Sequence, residues 1–242
     1  MEMNSFIKVE MVGPVGFLLI DRPQKANAYT DAMVLQMDRA LDRFAADDAI
    51  RSLIIMSAAE GRFCAGADLS EIRSRTAADG FTIPSMALFD RIEALAIPVI
   101  AAIGGPAVAG GLELALACDV RIATPAARFA LPETRLGILP AAGGTWRLPR
   151  VVGQSLAREV ILLGRSLDAA QALAAGLVSE VVAAGSLSAR ALEIARGAVD
   201  LDPGAVAAAK EALNRAMCTD TGRAFVEEAQ ARFYGRNRGG DA

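Results

Sequence analysis

Apolar residues fall along this chain in two alternating patterns, short unbroken runs and helical stripes. Two short runs, at 6–11 and 15–20, flank Gly13-Pro14 and predict a β-hairpin. Met33, Val34, Met37, Leu41 and Phe44 recur at helical spacing with charges opposite, which predicts a helix over 30–46. A buried strand is expected at 52–56, a helix start at 67–73 and a further helix over 85–95. The apolar run 99–103 predicts a second buried strand, followed by a glycine-rich turn, a helix over about 110–118 and a strand at 120–123. Strand alternating with helix points to an α/β fold with a largely parallel sheet. After Gly143 the pattern becomes nearly continuous helix, interrupted at 178–182, with Asp168 and Gln171 as an N-cap pair and Gly176 as a C-cap. The sheet is therefore expected in the first 150 residues or so, and a helical region after it. There is no internal repeat and no low-complexity linker.

Composition narrows this picture. The 242 residues are 53% hydrophobic and 22% charged, enough apolar material for one sizeable core. Balanced charge, net −3 with no basic block, argues against nucleic acid as a partner. Residues 94–112 carry no charge and approach the length of a membrane span, but Pro98, Pro106, Gly104-Gly105 and Gly110-Gly111 break them into short pieces. The first ten residues hold two glutamates and no apolar core, unlike a signal peptide. A soluble, cytoplasmic protein with no membrane partner is expected. Cys64, Cys118 and Cys218 are odd in number and far apart, which suits a reducing compartment and offers no metal spacing. Histidine is absent altogether. That excludes Ser-His-Asp and Cys-His catalysis and any imidazole base, and leaves acid–base chemistry to carboxylates, lysines, tyrosines or cysteines.

Three segments carry candidate chemistry. In FCAGADL (63–69), small residues after a strand let backbone approach a ligand closely and leave the Ala67 N–H free to donate. In GPAVAGGLE (105–113), a strand feeds a glycine turn and a helix start, where an N–H at Gly110 can stabilise a developing oxyanion. Glu113 lies three residues on, leaning back along the same face. In the third segment Glu133 follows Pro132 amid Phe129, Ala130, Leu131 and Leu136, where a carboxyl is either well hydrogen-bonded or raised in pKa.

Taken in order, FCAGADL, AGGLELALACD, FALPETRLGILP and GGTWRLPRVVG resemble the enoyl-CoA hydratase/isomerase (crotonase) superfamily, over about residues 6–234. The resemblance implies a spiral of ββα units over 1–185, with 186–242 as a helical trimerisation region, assembled as homotrimers or dimers of trimers. It implies Ala67 and Gly110 as oxyanion-hole amides, and an acyl-CoA substrate held along Ala65, Gly66, Ala67, Asp68 and Leu69; Lys25, Ala26 and Gly110 are expected as further contacts to it. Coenzyme A would enter as part of the substrate, with no separate cofactor and no metal. Glu113 and Glu133 would divide the acid–base work of adding water across C2=C3, Glu113 as the water-activating base. Holding both acids favours a hydratase. A Δ3,Δ2-enoyl-CoA isomerase and a silent acyl-CoA-binding homologue are the alternatives. AGGLELALACD is also similar to the 3-methylglutaconyl-CoA hydratase branch, whose mammalian member binds RNA through a lysine-rich helix. The corresponding helix here, ending at 38–43, mixes signs and has no lysine, so RNA binding is not expected. Trp146 stands where the family commonly has glutamine, a change expected to alter packing. Relatives usually continue past the position of Ala242 through another helix, so a shortened end to the acyl pocket is expected.

Plainer readings exist for each residue. Glu113 can be a satisfied buried carboxylate, Glu133 a loop acid paired with Arg135, and Gly110-Gly111 a tight turn. Gly105 and Gly110 match half of a phosphate-binding loop, but the Lys-Ser/Thr that should follow is absent. Cys64 reads as a packing residue, since nothing nearby would ionise it. Arg22 and Lys25 are candidates for CoA phosphates or simple surface charges. Arg232, Arg236 and Arg238 read as a solvated end.

Overall fold

The computed structural model describes residues 6–215 and residue 231. The hairpin is β1 (Ile7–Val12) and β2 (Val15–Ile20), turning at Gly13 with φ +60°. Helix α1 (Asp31–Ala45) starts where the Thr30 hydroxyl accepts from the Met33 N–H. Its Met33, Val34, Met37, Leu41 and Phe44 are all buried, as the helical stripe predicts. Then follow β3 (Ser52–Ser57), α2 (Leu69–Ser74), α3 (Pro84–Ala94), β4 (Val99–Ile103), a short β5 (Ala107–Val108), α4 (Gly110–Leu116) and β6 (Val120–Ala123). The uncharged stretch 94–112 is thus split between two strands and a helix start. No described helix is long and apolar enough to cross a membrane.

The main sheet runs β1-β2-β3-β4-β6-β9, with β9 at Glu180–Val181. Only the hairpin pair is antiparallel; the other neighbours are parallel. Alternation within the strands covers both faces. Leu18, Ile20, Leu53 and Ile55 pack toward the helices α1, α3 and α4. Phe17, Leu19, Ile54 and Ile100 pack on the other side, against Leu187, Ala191 and Ala195 of α8 (Leu187–Arg196). Each fully buried large side chain is worth about 1.5–3 kcal/mol of transfer free energy.

Three features depart from the sequence reading. A second sheet joins β5 to β7 (Arg128–Ala130) and β8 (Leu167–Asp168), strands too short to show a period. Residues 133–136 form a 3₁₀ turn rather than an open loop. The helix after Gly143 is two helices, α5 (Gly144–Val152) and α6 (Gln154–Leu162), broken at Gly153 with φ +79°. Asp168 and Gln171 form the expected capping box on α7 (Ala169–Ala174), with Gly176 at φ +73° beyond its end. Helix α9 (Pro203–Arg215) is the last described at length. Cys218 and the arginines at 232, 236 and 238 lie outside the described residues.

Candidate active site

The segments leaving the carboxyl ends of β3 and β4 meet in front of the sheet, the usual ligand position in parallel α/β folds. The first is anchored from the turn after β2. Buried Asn27 donates through its amide to the Ser57 hydroxyl and the Phe63 carbonyl, both at 2.8 Å. The Tyr29 N–H donates to Gly66 O, and the Asp68 N–H to Tyr29 O, each 2.8 Å. These two bonds bracket Ala67, whose own N–H has no partner among the described residues.

The second segment is bent by Ala109, at φ +52° and ψ −129°. An alanine there is strained by roughly 1–3 kcal/mol. A 2.9 Å bond from its N–H to Ala130 O pins it to the second sheet. The strain redirects the chain so that α4 opens at Gly110, whose N–H is also unpartnered among the described residues. Gly66 lies directly under it: a Cβ on Gly66 would come within 2.9 Å of the Gly110 nitrogen. Ala67 thus follows directly on a residue packed against the Gly110 amide.

Both amides and both glutamates border one cavity of about 460 Å³. Glu113 is 3% exposed, and its Oε1 accepts from the Ala142 and Gly144 N–H groups, both at 2.8 Å. Burial pushes its pKa up to about 7, against the pull of those two amides and of the Arg147 guanidinium. Glu133 is 5% exposed, and its buried Oε2 has no partner among the described residues. Burial first, and then the Glu113 charge, raise it to about 9. Arg135 is not a partner of that buried oxygen among the described residues.

Of the expected CoA-binding residues, Lys25, Ala65, Ala67, Asp68, Leu69 and Gly110 border the cavity. Ala26 and Gly66 do not. Ala26 lends its carbonyl to the Ala65 N–H at 3.1 Å, and Gly66 packs beneath Gly110, so both back the wall rather than face it. Arg22 is spent on Asp68 at 2.7 Å and the Ala28 carbonyl at 2.8 Å. Cys64 is fully buried, with burial pushing its thiol to about 12, as suits packing. Asp38 and Asp42 of α1 pair with Arg91, which makes that helix face a set of ion pairs. Among the described residues, no group of three potential ligands is placed to hold a metal ion.

Two residues escaped the sequence reading. Tyr29, 4% exposed, borders the cavity with its hydroxyl against Gly110. Arg147, 1% exposed, donates to Ala142 O at 3.0 Å, to Asp90 at 2.8 Å and to Glu93 at 2.6 Å. A charged residue at helical spacing beside Leu148, inside an otherwise apolar face, was the signal for Arg147. Tyr29 carried none beyond standing next to Asn27.

The family model described as enoyl-CoA hydratase/isomerase matches residues 12–236. The chain belongs to that family. It is 40% identical over 233 residues to the short-chain-enoyl-CoA hydratase of Clostridium acetobutylicum, covering 96% of this chain and 89% of that one. It is 40% identical over 220 residues to the human mitochondrial methylglutaconyl-CoA hydratase, covering 88% of this chain and 65% of that protein. The crystal structure of an enoyl-CoA hydratase from Mycobacterium avium superposes with a TM-score of 0.84 at 38% identity, over 98% of this chain and all of the other. The enoyl-CoA hydratase/isomerase fold is thus the fold of this chain, a spiral crotonase-type α/β architecture.

Proposed function

We propose that the protein hydrates 2-enoyl-CoA thioesters, adding water in syn fashion across C2=C3. The observation that carries this reading is the pairing of two unpartnered amides with two carboxyls of unlike acidity on one cavity. The thioester oxygen accepts from the N–H groups of Ala67 and Gly110. Ionised Glu113 takes a proton from water as its oxygen bonds to C3, and the π electrons move toward the thioester oxygen. Each amide lowers that barrier by about 3–4 kcal/mol. Glu133, still protonated, delivers its proton to C2. The product has gained one water, and the carboxyls exchange their states before the next turnover.

Lys25 and the 65–69 segment take the coenzyme A arm, and coenzyme A is the only cofactor-like group the reaction needs. The family resemblance supports a homotrimer or dimer of trimers acting on fatty acyl chains, and the odd, widely spaced cysteines support a reducing cytoplasm. Much of the 186–242 region expected to make the subunit contacts lies outside the described residues.

Glu113→Gln and Glu133→Gln should each lower kcat on crotonyl-CoA by at least ~100-fold. Turnover in H2-18O should place the label in the product. Near-wild-type rates in both variants would sink the assignment. Double-bond migration without label would make the enzyme an isomerase.

A further inference from the structure

The wall facing the reacting carbons holds a phenol that the proposed chemistry leaves unused. With the thioester oxygen on Ala67 and Gly110 and the coenzyme A arm leaving by 65–69, the acyl carbons must run past the two carboxyls. Tyr29, Ile83, Ser85 and Ala142 are among the residues that line the cavity, with Tyr29 within electrostatic reach of both carboxyls and Ala142 bonded to Glu113. Tyr29 is held in that wall from three sides. Its hydroxyl stands over Gly110, so close that a Cβ on that glycine would lie 2.0 Å from it. It shares a hydrogen bond with the Ser85 side chain at the start of α3. Behind it the fully buried Phe89 ring stands edge-on at 6.0 Å. Its main chain is fixed as well, by the two bonds that bracket Ala67. Burial and the charges of Glu113 and Glu133 also keep the phenol neutral, its pKa well above its ordinary value.

We propose that Tyr29 is the specificity-determining residue of this site, a fixed wall beside the reacting carbons that restricts it to short-chain 2-enoyl thioesters. The inference rests on the hydratase reading above, and concerns where the acyl tail ends. A side chain free to rotate would fold aside for a longer tail. This ring is blocked by Gly110 on one side and Phe89 on the other and is tied to Ser85, so added methylenes meet it rather than displace it. A pocket distinguishes substrates by about 10-fold or more for each methylene it cannot seat.

The test is the ratio of kcat/KM for crotonyl-CoA to that for trans-2-octenoyl-CoA. The wild type should favour crotonyl-CoA by at least ~10-fold. Tyr29→Ala should reduce that ratio by at least ~10-fold, and Tyr29→Leu, which keeps an apolar core residue in case the alanine variant does not fold, should reduce it in the same direction. Calorimetry with the unreactive butyryl-CoA and octanoyl-CoA gives the same comparison without turnover. It should show octanoyl-CoA binding tightening in the variants relative to butyryl-CoA. If no enoyl-CoA is hydrated but the binding ratio shifts, the wall stands and the hydratase reading falls. A ratio unchanged by both substitutions, or a wild type that prefers the longer thioester, overturns the proposal.

Discussion

Glu133 keeps a carboxyl proton where water cannot easily reach it, and this has consequences for both rate and stability. Its Oε2 is buried without a partner, and the Glu113 charge adds to the cost of ionising it. Glu113, with two amides on Oε1 and Arg147 nearby, ionises first. Between about 7 and about 9, then, the pair holds one charge and one proton, the state the proposed reaction needs. A plot of kcat/KM against pH should be bell-shaped, rising near the lower value as Glu113 ionises and falling near the upper one as Glu133 loses its proton. The same retention of protons opposes folding. A carboxyl raised above its ordinary 4.5 binds its proton more tightly in the native state, so stability is lost as pH climbs from 4.5 through the folded value. Glu133→Gln removes that liability. Thermal unfolding of the variant should show a Tm about 3 °C or more above wild type at pH 8, with the gap closing toward pH 4.5. A variant less stable than wild type at pH 8 would contradict the buried, proton-holding environment. Glu133 could be suspected from the sequence, because a carboxyl among Phe129, Leu131 and Leu136 has few ways to stay charged. Tyr29 could not, because its importance comes from Gly110 and Phe89, 81 and 60 positions away in the chain.

At the scale of elements, the long helices and central strands were legible because their apolar residues repeat over ten residues or more, or run unbroken. The strands β5, β7 and β8, of two or three residues each, have no room for a period. Yet β7 supplies the carbonyl that pins strained Ala109, so the part the pattern could not show is the part that aims Gly110. The break between α5 and α6 was hidden for a similar reason: one glycine interrupts a helical stripe that otherwise reads through. Arg147 shows what α5 does for the site. Its guanidinium ties α5 to Asp90 and Glu93 of α3 and holds the Ala142 carbonyl, so the peptides on either side of Gly143 present their N–H groups to Glu113. Arg147→Gln removes a buried cation from beside Asp90 and Glu93 and frees that loop. It should cost about 3 kcal/mol, a fall in Tm of about 6–12 °C. Because Arg147 also draws the Glu113 pKa down, the acid limb of the pH profile should move to higher pH. A folded variant with an unmoved acid limb would show that Arg147 supports the fold alone.

Across the whole molecule, the cavity is assembled from loops at one end of the parallel sheet, and exposed apolar side chains stand both at its border and beyond it. Leu162 and Leu163, at the end of α6, are 61% and 76% exposed. Leu136 is exposed on the neighbouring 3₁₀ turn, where the Thr134 hydroxyl reaches the Ile161 carbonyl at 3.4 Å. Single exposed leucines are ordinary on a protein surface. Leu162 and Leu163, adjacent in the chain and largely exposed, make an apolar patch of the kind that associating subunits cover. That patch and the family resemblance point the same way, toward a closed assembly of identical chains. Sedimentation equilibrium should return a mass three or six times the 25.2 kDa chain, unchanged on dilution through the micromolar range in which kcat is measured. A chain that sediments as a monomer while hydrating crotonyl-CoA at full rate would separate the chemistry from assembly, and would leave the leucines of α6 facing water in the working enzyme.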